Sequence, residues 1–262
     1  MMSQQPIDRV QITHIGGPTV LIEIGHFRIL TDPTFDPAGS KYERTAKFID
    51  PAISASEVGP VDVVLVSHDQ HPDNLDGAGR AYLSQARQVL TTPAGAQRLG
   101  NGVCGVDTWE TVELVGADGQ RVCITATPAH HGPEEVLSML GDVNGWIVEW
   151  NGAGHGALYV SGDTVFFDDL REINRRHPVG VALLHFGAAQ AKVYGPVHLT
   201  LTATDGVKLA QTLGDAIIIP IHFEGWAHYT EGRAEIEQAF VAAGIEKRLR
   251  FLPPGQPVSL EV

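Results

Sequence analysis

The chain has 262 residues, is 43% hydrophobic, and carries 31 acidic against 18 basic side chains, for a formal charge of −13. That length is enough to bury a real core, and no apolar run approaches the roughly 20 residues a bilayer span needs. So acidic a balance, with no basic patch, excludes a nucleic-acid backbone as partner, because phosphates demand cations.

In chain order, Met1 to Gln11 contains no apolar leader segment, so no secretory signal is expected. Val10 to His14, Thr19 to Ile24 and Arg28 to Thr31 then read as an opening meander, with Gly16-Gly17-Pro18 and Gly25-His26 as its turns. Asp36 to Pro60 is an irregular excursion before the buried strand Val61 to Val66. A helix over Asn74 to Ser84 precedes a strand at Val89 to Thr92 and a short helix at Pro93 to Leu99. Strands follow at Val103 to Val106, Thr111 to Leu114, Val122 to Thr127, Gly145 to Trp150 and Ala157 to Ser161. Phe167 to Arg176 is helical, Val179 to His185 a buried strand, and Thr202 to Leu213 an amphipathic helix. Ala216 to Ile221 is a strand, Arg233 to Ala243 a helix, and Arg248 to Leu252 the last strand. Strand-rich halves each followed by helices predict one α/β domain over 1–262, an αββα sandwich of two packed mixed sheets with outer helices. Cys104 and Cys123 stand in no metal-knuckle spacing and read as buried thiols of a reducing compartment, so a cytoplasmic protein is expected.

Chemistry concentrates at strand ends. After Val61 to Val66 comes Ser67-His68-Asp69-Gln70-His71-Pro72-Asp73-Asn74-Leu75-Asp76. Thr125 to Thr127 runs into Pro128-Ala129-His130-His131-Gly132-Pro133, Tyr159-Val160 into Ser161-Gly162-Asp163-Thr164, and Ile217 to Ile221 into His222. Each has a bland alternative: a hydrogen-bonded histidine, a polar loop, a helix cap. Four strand ends with the same habit point instead to a divalent cation, since clustered imidazoles and carboxylates are costly to bury without a partner. His68, His71, Asp73, His131, Asp163 and His222 are the candidate ligands, a set that suits zinc, with manganese or iron as alternatives.

The order SHxxHxDN, PAHHGP, SGDT and IPIH resembles the metallo-β-lactamase superfamily, in particular its small-molecule hydrolase branch with ascorbate-6-phosphate lactonases and N-acyl phosphatidylethanolamine phospholipase D. His14 to Glu23 followed by Ile29 to Pro33 looks like that branch's first hairpin; Trp109 to Leu114 and His198-Leu199-Thr200 also fit. The resemblance implies the metallo-β-lactamase fold and one or two divalent metal ions. It makes His68, His71 and His131 ligands of one metal, with His130 the alternative to His131. It assigns Asp73 and His222 to a second metal, with Asp163 bridging both. The chain departs from the family's HxHxDH pattern: one residue is added before His71, with Gln70 inside the motif, and Asn74 stands where a histidine is expected. Asp76 is the possible substitute ligand or orienting group.

The activity implied is hydrolysis of a small-molecule ester, lactone or phosphodiester, because a bound cation lowers the pKa of water to about 7 and so yields hydroxide at neutral pH. Asp73 and His198 are the candidate catalytic groups, His198 as proton donor or else as a cap of the following helix. His185, Trp226 and His228 are candidate substrate contacts, with Tyr229 beside them. Lys41, Arg44 and Lys47, interleaved with Phe35, Tyr42 and Phe48, form either an anion-receiving loop or a solvated surface. His14, His26, His155 and His177 belong to no motif and read as structural or exposed. The competing functions are a non-haem iron oxidoreductase on the same fold and a non-catalytic metal binder.

Overall fold

The computed structural model describes residues 9–100 and 102–261. Residues 1–8, on which most of the leader expectation falls, lie outside the described residues. The first half holds β1 (Arg9–Gly16), β2 (Thr19–Ile24), β3 (Phe27–Thr31), α1 (Ala55–Val58), β4 (Val61–Leu65), α2 (Gly77–Tyr82), β5 (Ala86–Thr91), α3 (Pro93–Leu99) and β6 (Val103–Gly105). The second holds β7 (Thr111–Val115), β8 (Arg121–Ala129), α4 (Glu134–Leu140), β9 (Val143–Trp150), β10 (Ala157–Val160), α5 (Arg171–Arg176), β11 (Val179–His185), α6 (Ala203–Thr212), β12 (Ile217–Ile221) and α7 (Arg233–Ala242). The final strand, β13 (Val258–Glu261), returns to the first sheet.

One sheet has the order β13-β1-β2-β3-β4-β5-β6 and the other β12-β11-β10-β9-β8-β7. Both are mixed: hairpins β1 to β3 and β7 to β10 pair antiparallel, while β3 to β6 and β10 to β12 pair parallel. Ile12, Ile22, Ile29, Val63 and Leu65 of the first sheet meet Ile124, Trp146, Val148, Val160 and Leu183 of the second in a shared core. On the outer face of the second sheet, Leu209, Ala210, Ile236 and Phe240 of α6 and α7 cover Tyr159, Leu184 and Ile218. On that of the first, Val58 and Tyr82 cover Leu21, Leu30 and Val64. Strands covered on both faces need continuous apolar runs, which is why β4 and β12 show no polar alternation. The layers are those of an αββα sandwich.

Several elements differ from expectation. The segment 248–252 makes only a single bridge, Leu249 to Ile218, and the backbone bond Arg250 N to Ile218 O of 2.8 Å. Pro253 and Pro254 lack the N–H groups needed to extend the ladder. Helix α2 starts three residues later than expected, because Asp76 is its cap and accepts from Gly79 N at 2.7 Å. Helix α4, unanticipated, packs Val136 and Leu140 on Ala189 and Leu199. Cys104 and Cys123 are half-buried free thiols, not fully buried ones. Among the described residues no helix is long and apolar enough to cross a membrane.

Candidate metal centre

The parallel strands β4, β10 and β12 all end at the same edge of the sandwich, and the turns after them converge there. The turn after β4 is fixed first. Asp32, at the end of β3, adopts φ 34°, and its Oδ1 accepts Ser67 N at 2.6 Å. Ser67 O in turn accepts Asn144 N from β9 at 3.0 Å, so the His68 turn is tied to both sheets. In the turn after β10, Gly162 has φ +61°, and a Cβ there would lie 2.5 Å from Asn144 O; only glycine gives Asp163 its inward aim. His222 itself has φ 60°, with its N bonded to Gly17 O at 2.9 Å, so a left-handed residue turns the ring back over the sheet edge.

The result is two groups of donor atoms, each within 4.8 Å of one another: His68, His71 and His131 in one, Asp73, Asp163 and His222 in the other. His71 Nδ1 lies 2.9 Å from both His68 Nε2 and His131 Nε2. His222 Nε2 lies 3.2 Å from Asp73 Oδ2 and 3.3 Å from Asp163 Oδ1. Asp163 Oδ2 faces the other group, 3.6 Å from His131 Nε2 and 4.0 Å from His68 Nε2. With metal–ligand bonds of about 2.0–2.1 Å, neighbouring ligands at right-angled to tetrahedral spacing stand about 2.9–3.4 Å apart. The shorter separations fall in that range.

The proton positions agree. A carbonyl oxygen only accepts, so His131 must donate from Nδ1 to Leu199 O at 2.8 Å, and His222 from Nδ1 to Phe186 O at 3.2 Å. Their Nε2 atoms therefore face the centre. Asp163 Oδ2 is buried with no hydrogen-bond partner among the described residues, and a lone pair so placed calls for a cation. The residues fit one metal held by His68, His71, His131 and Asp163, and a second held by Asp73, Asp163 and His222.

Charge follows the same division. Burial, reinforced by neighbouring imidazoles, holds His68 well below the ordinary histidine range and takes His71 down to about 4. Both are neutral ligands at neutral pH. Burial also opposes charge on His222, but Asp163 and Asp73 outweigh it and carry that imidazole up to about 9. Burial would raise Asp73 and Asp163; the surrounding imidazoles, His228 and His222 foremost respectively, instead hold both carboxylates well below their usual range.

The other expected site residues scatter. His130 stacks on Phe167, ring centroids 3.7 Å apart, and is not in either donor group. Asp76 accepts from Phe35 N, Asp36 N and Gly79 N and pairs with Lys47 Nζ at 3.3 Å, an orienting arrangement and not a ligand's. Asn74 donates from Nδ2 to Asp163 Oδ1 at 3.2 Å. Gln70 reaches Leu140 O at 3.4 Å. His185 is wholly buried beneath the centre, between Ser161 Oγ and Asp32 Oδ2, at 3.2 and 3.3 Å. Trp226 is buried against Gly17 and Tyr42. His198 places Nδ1 3.3 Å from Ala188 O and from Gln190 Nε2, and is in neither donor group. His228 lies beside a candidate ligand, Nε2 2.9 Å from Asp73 Oδ2.

A cavity of about 440 Å³ opens above the centre. His71, Asp73, His131 and His228 form its inner wall, Met139, Leu140 and Leu199 an apolar side, and Tyr42 and Arg44 the rim. Of the three basic residues of the 36–60 excursion, Arg44 alone reaches the cavity, bonded to Tyr194 Oη at 2.9 Å; Lys47 is buried with Asp76. Sequence reasoning missed the α4 wall and Thr45, whose Oγ1 stands 2.6 Å from His228 Nδ1. No local pattern marks a threonine in an irregular loop, so only the folded contact reveals it.

The fold and this geometry agree with what the chain is similar to. Residues 27–223 match the beta-lactamase superfamily domain. A UPF0173 metal-dependent hydrolase of Opitutus terrae is 30% identical over 226 residues, 82% of this chain and 85% of its own length. Two crystal structures share the fold. A possible metal-dependent hydrolase from Veillonella parvula has a TM-score of 0.82 at 22% identity, covering 95% of this chain and 99% of that one. The isothiocyanate hydrolase from Delia radicum gut bacteria has a TM-score of 0.80 at 20% identity, covering 96% and 100%. The chain belongs to the metallo-β-lactamase superfamily and, within it, to a family of metal-dependent hydrolases.

Proposed function

We propose that the chain hydrolyses a small-molecule ester, lactone or phosphodiester at this centre, with zinc as the ion and manganese or iron as alternatives. The observation that carries the reading is the placement of Asp163, whose two carboxylate oxygens face two separate donor groups at the floor of an open cavity. A bound divalent cation supplies a water of lowered pKa, near 7, and a Lewis-acidic contact for the substrate oxygen. The chain does the rest. Neutral His68 and His71 leave the ion's charge undiminished, whereas Asp73 and Asp163 offset it.

The Tyr229 ring lies tilted against those of His222 and His228, centroids 4.5 and 4.6 Å away. Burial first, and then Asp73 and Asp163, push its phenol well above the usual range, so it stays protonated beside the reacting region. A protonated phenol donates a hydrogen bond to developing negative charge. Arg44 at the rim favours an anionic substituent, and Met139, Leu140 and Leu199 favour an apolar one. His198 remains the proposed proton donor to the leaving group; it would act from the loop preceding α6, next to Gln190. We assign the protein to the cytoplasm on its two free cysteines, which the described residues do not pair.

The test is elemental analysis of the purified chain, then stripping and reloading with zinc, manganese or iron against generic esters, lactones and phosphodiesters. Turnover that returns with zinc or manganese supports the reading. Turnover that requires iron together with dioxygen, or hydrolysis that survives complete metal removal, sinks it.

A further inference from the structure

The two metal positions are unequally furnished. The first has four protein atoms, from His68, His71, His131 and Asp163; the second has three, from Asp73, Asp163 and His222. The missing one is where Asn74 stands. Its amide is turned so that Nδ2 lies between two acceptors, Asp163 Oδ1 at 3.2 Å and Ser67 Oγ at 3.4 Å. An amide nitrogen has no lone pair to offer, and its Oδ1 meets no hydrogen-bond partner among the described residues. Through Nδ2, Asn74 positions the bridging carboxylate.

We propose that His228 supplies the absent ligand, so that this chain completes its second metal position from the loop after β12 and not from the motif after β4. This inference rests on the two-site reading above and extends it. His228 Nε2 stands 2.9 Å from Asp73 Oδ2, an edge of the length found among neighbouring ligands of one ion. Its Nε2 lies outside the trio of Asp73, Asp163 and His222, whose donor atoms all stand within 4.8 Å of one another, and on the cavity side of it. The ring's other nitrogen is held as ligating histidines usually are: Nδ1 meets Thr45 Oγ1 at 2.6 Å, which fixes the ring and leaves Nε2 to the centre.

The backbone around His228 is held on three sides. Ala227 N bonds Ala46 O at 3.0 Å, Phe48 N bonds Gly225 O at 2.7 Å, and Gln190 N bonds His228 O at 3.0 Å. A single bridge between Lys47 and Trp226 completes the clamp. A surface histidine needs no such holding; a ligand must be held in position.

Cobalt(II) substitution tests the proposal without reference to turnover. Metal per chain is measured by elemental analysis after stripping and reloading, and ligand N–H protons are read as hyperfine-shifted exchangeable resonances. Wild type should take up about two equivalents and show the His228 N–H among the shifted signals. His228→Ala should fall to one equivalent and lose that signal, with the first-site signals kept. Asn74→His combined with His228→Ala should recover the second equivalent, which also shows that the loss was not unfolding. Thr45→Val should weaken the second ion about 10–100-fold, the usual effect of removing a partner behind a ligand. Retention of both equivalents in His228→Ala, or a wild type that saturates at one, overturns the proposal yet leaves a hydrolase with one ion intact. A wild type that binds no metal overturns the functional reading itself.

Discussion

Asp163 faces both donor groups, Oδ1 3.3 Å from His222 Nε2 and Oδ2 3.6 Å from His131 Nε2. Asp163→Ala should therefore remove both metals, and His68→Ala the first, with hydrolysis falling to background in each. Circular dichroism should show the chain still folded; unchanged metal stoichiometry in both variants refutes the ligand assignment. His222 adds a pH dependence whose sign follows from its environment. In the absence of a cation its imidazole is protonated up to about pH 9, so an ion entering the second position must displace that proton. Second-site affinity should rise about tenfold per pH unit between roughly 6.5 and 9 and then level off. His71, neutral above about pH 4, imposes no such competition on the first position. Chelator titrations across that range should show the second equivalent leaving first on acidification. Loss of both in parallel would place His222's proton elsewhere.

At the scale of elements, the excursion between β3 and β4 is held down as firmly as a strand. Lys47, buried, bonds Thr34 O at 2.8 Å and Asp76 Oδ2 at 3.3 Å, while Asp76 caps α2 and accepts from Phe35 N and Asp36 N. Breaking a buried pair by removing one partner leaves the other charged and dry, at about 3–5 kcal/mol. Asp76→Ala should lower the unfolding free energy by that amount, read as a lower urea midpoint with the slope unchanged; a change under about 1 kcal/mol would mean that the excursion is not structurally coupled to α2. This clamp also shows where sequence reading stopped. The strands were legible because β4, β11 and β12 are apolar runs too short for helices, and the six donors were legible because each follows a strand end. Lys47 and Arg44 look alike in the sequence, and only the fold sends one inside and the other to the cavity rim. Helix α4 was lost because it is seven residues long between Gly132 and Gly141, and β13 because an edge strand paired only with β1 leaves little local signal. His228 was legible as a residue near the pocket, but its neighbour Thr45 lies 183 positions away, and such pairings are set by tertiary structure.

Across the whole molecule, the centre lies on the seam between the sheets. His68, His71 and Asp73 follow β4 of the first sheet; His131, Asp163 and His222 follow β8, β10 and β12 of the second. An ion bound to both sets binds only the folded arrangement, so its binding free energy adds to stability by mass action, about 4 kcal/mol at a free concentration 1,000 times its dissociation constant. Removing it also leaves Asp163 Oδ2 unpaired and His71 Nδ1 2.9 Å from both His68 Nε2 and His131 Nε2, a packing that a proton or a cation relieves. Chelation should therefore lower the thermal midpoint by about 2–4 °C for each kcal/mol lost in a chain of this size. Re-addition should restore it in proportion to the logarithm of metal concentration. The control is Ile12→Ala in the shared core, far from the ligands in the sequence and set in a packed layer of both sheets. It should cost about 2–5 kcal/mol with the metal-dependent increment unchanged. A midpoint indifferent to chelation, with metal shown to be removed, would mean that the sheets close on their apolar core alone and that the ion contributes chemistry without cohesion.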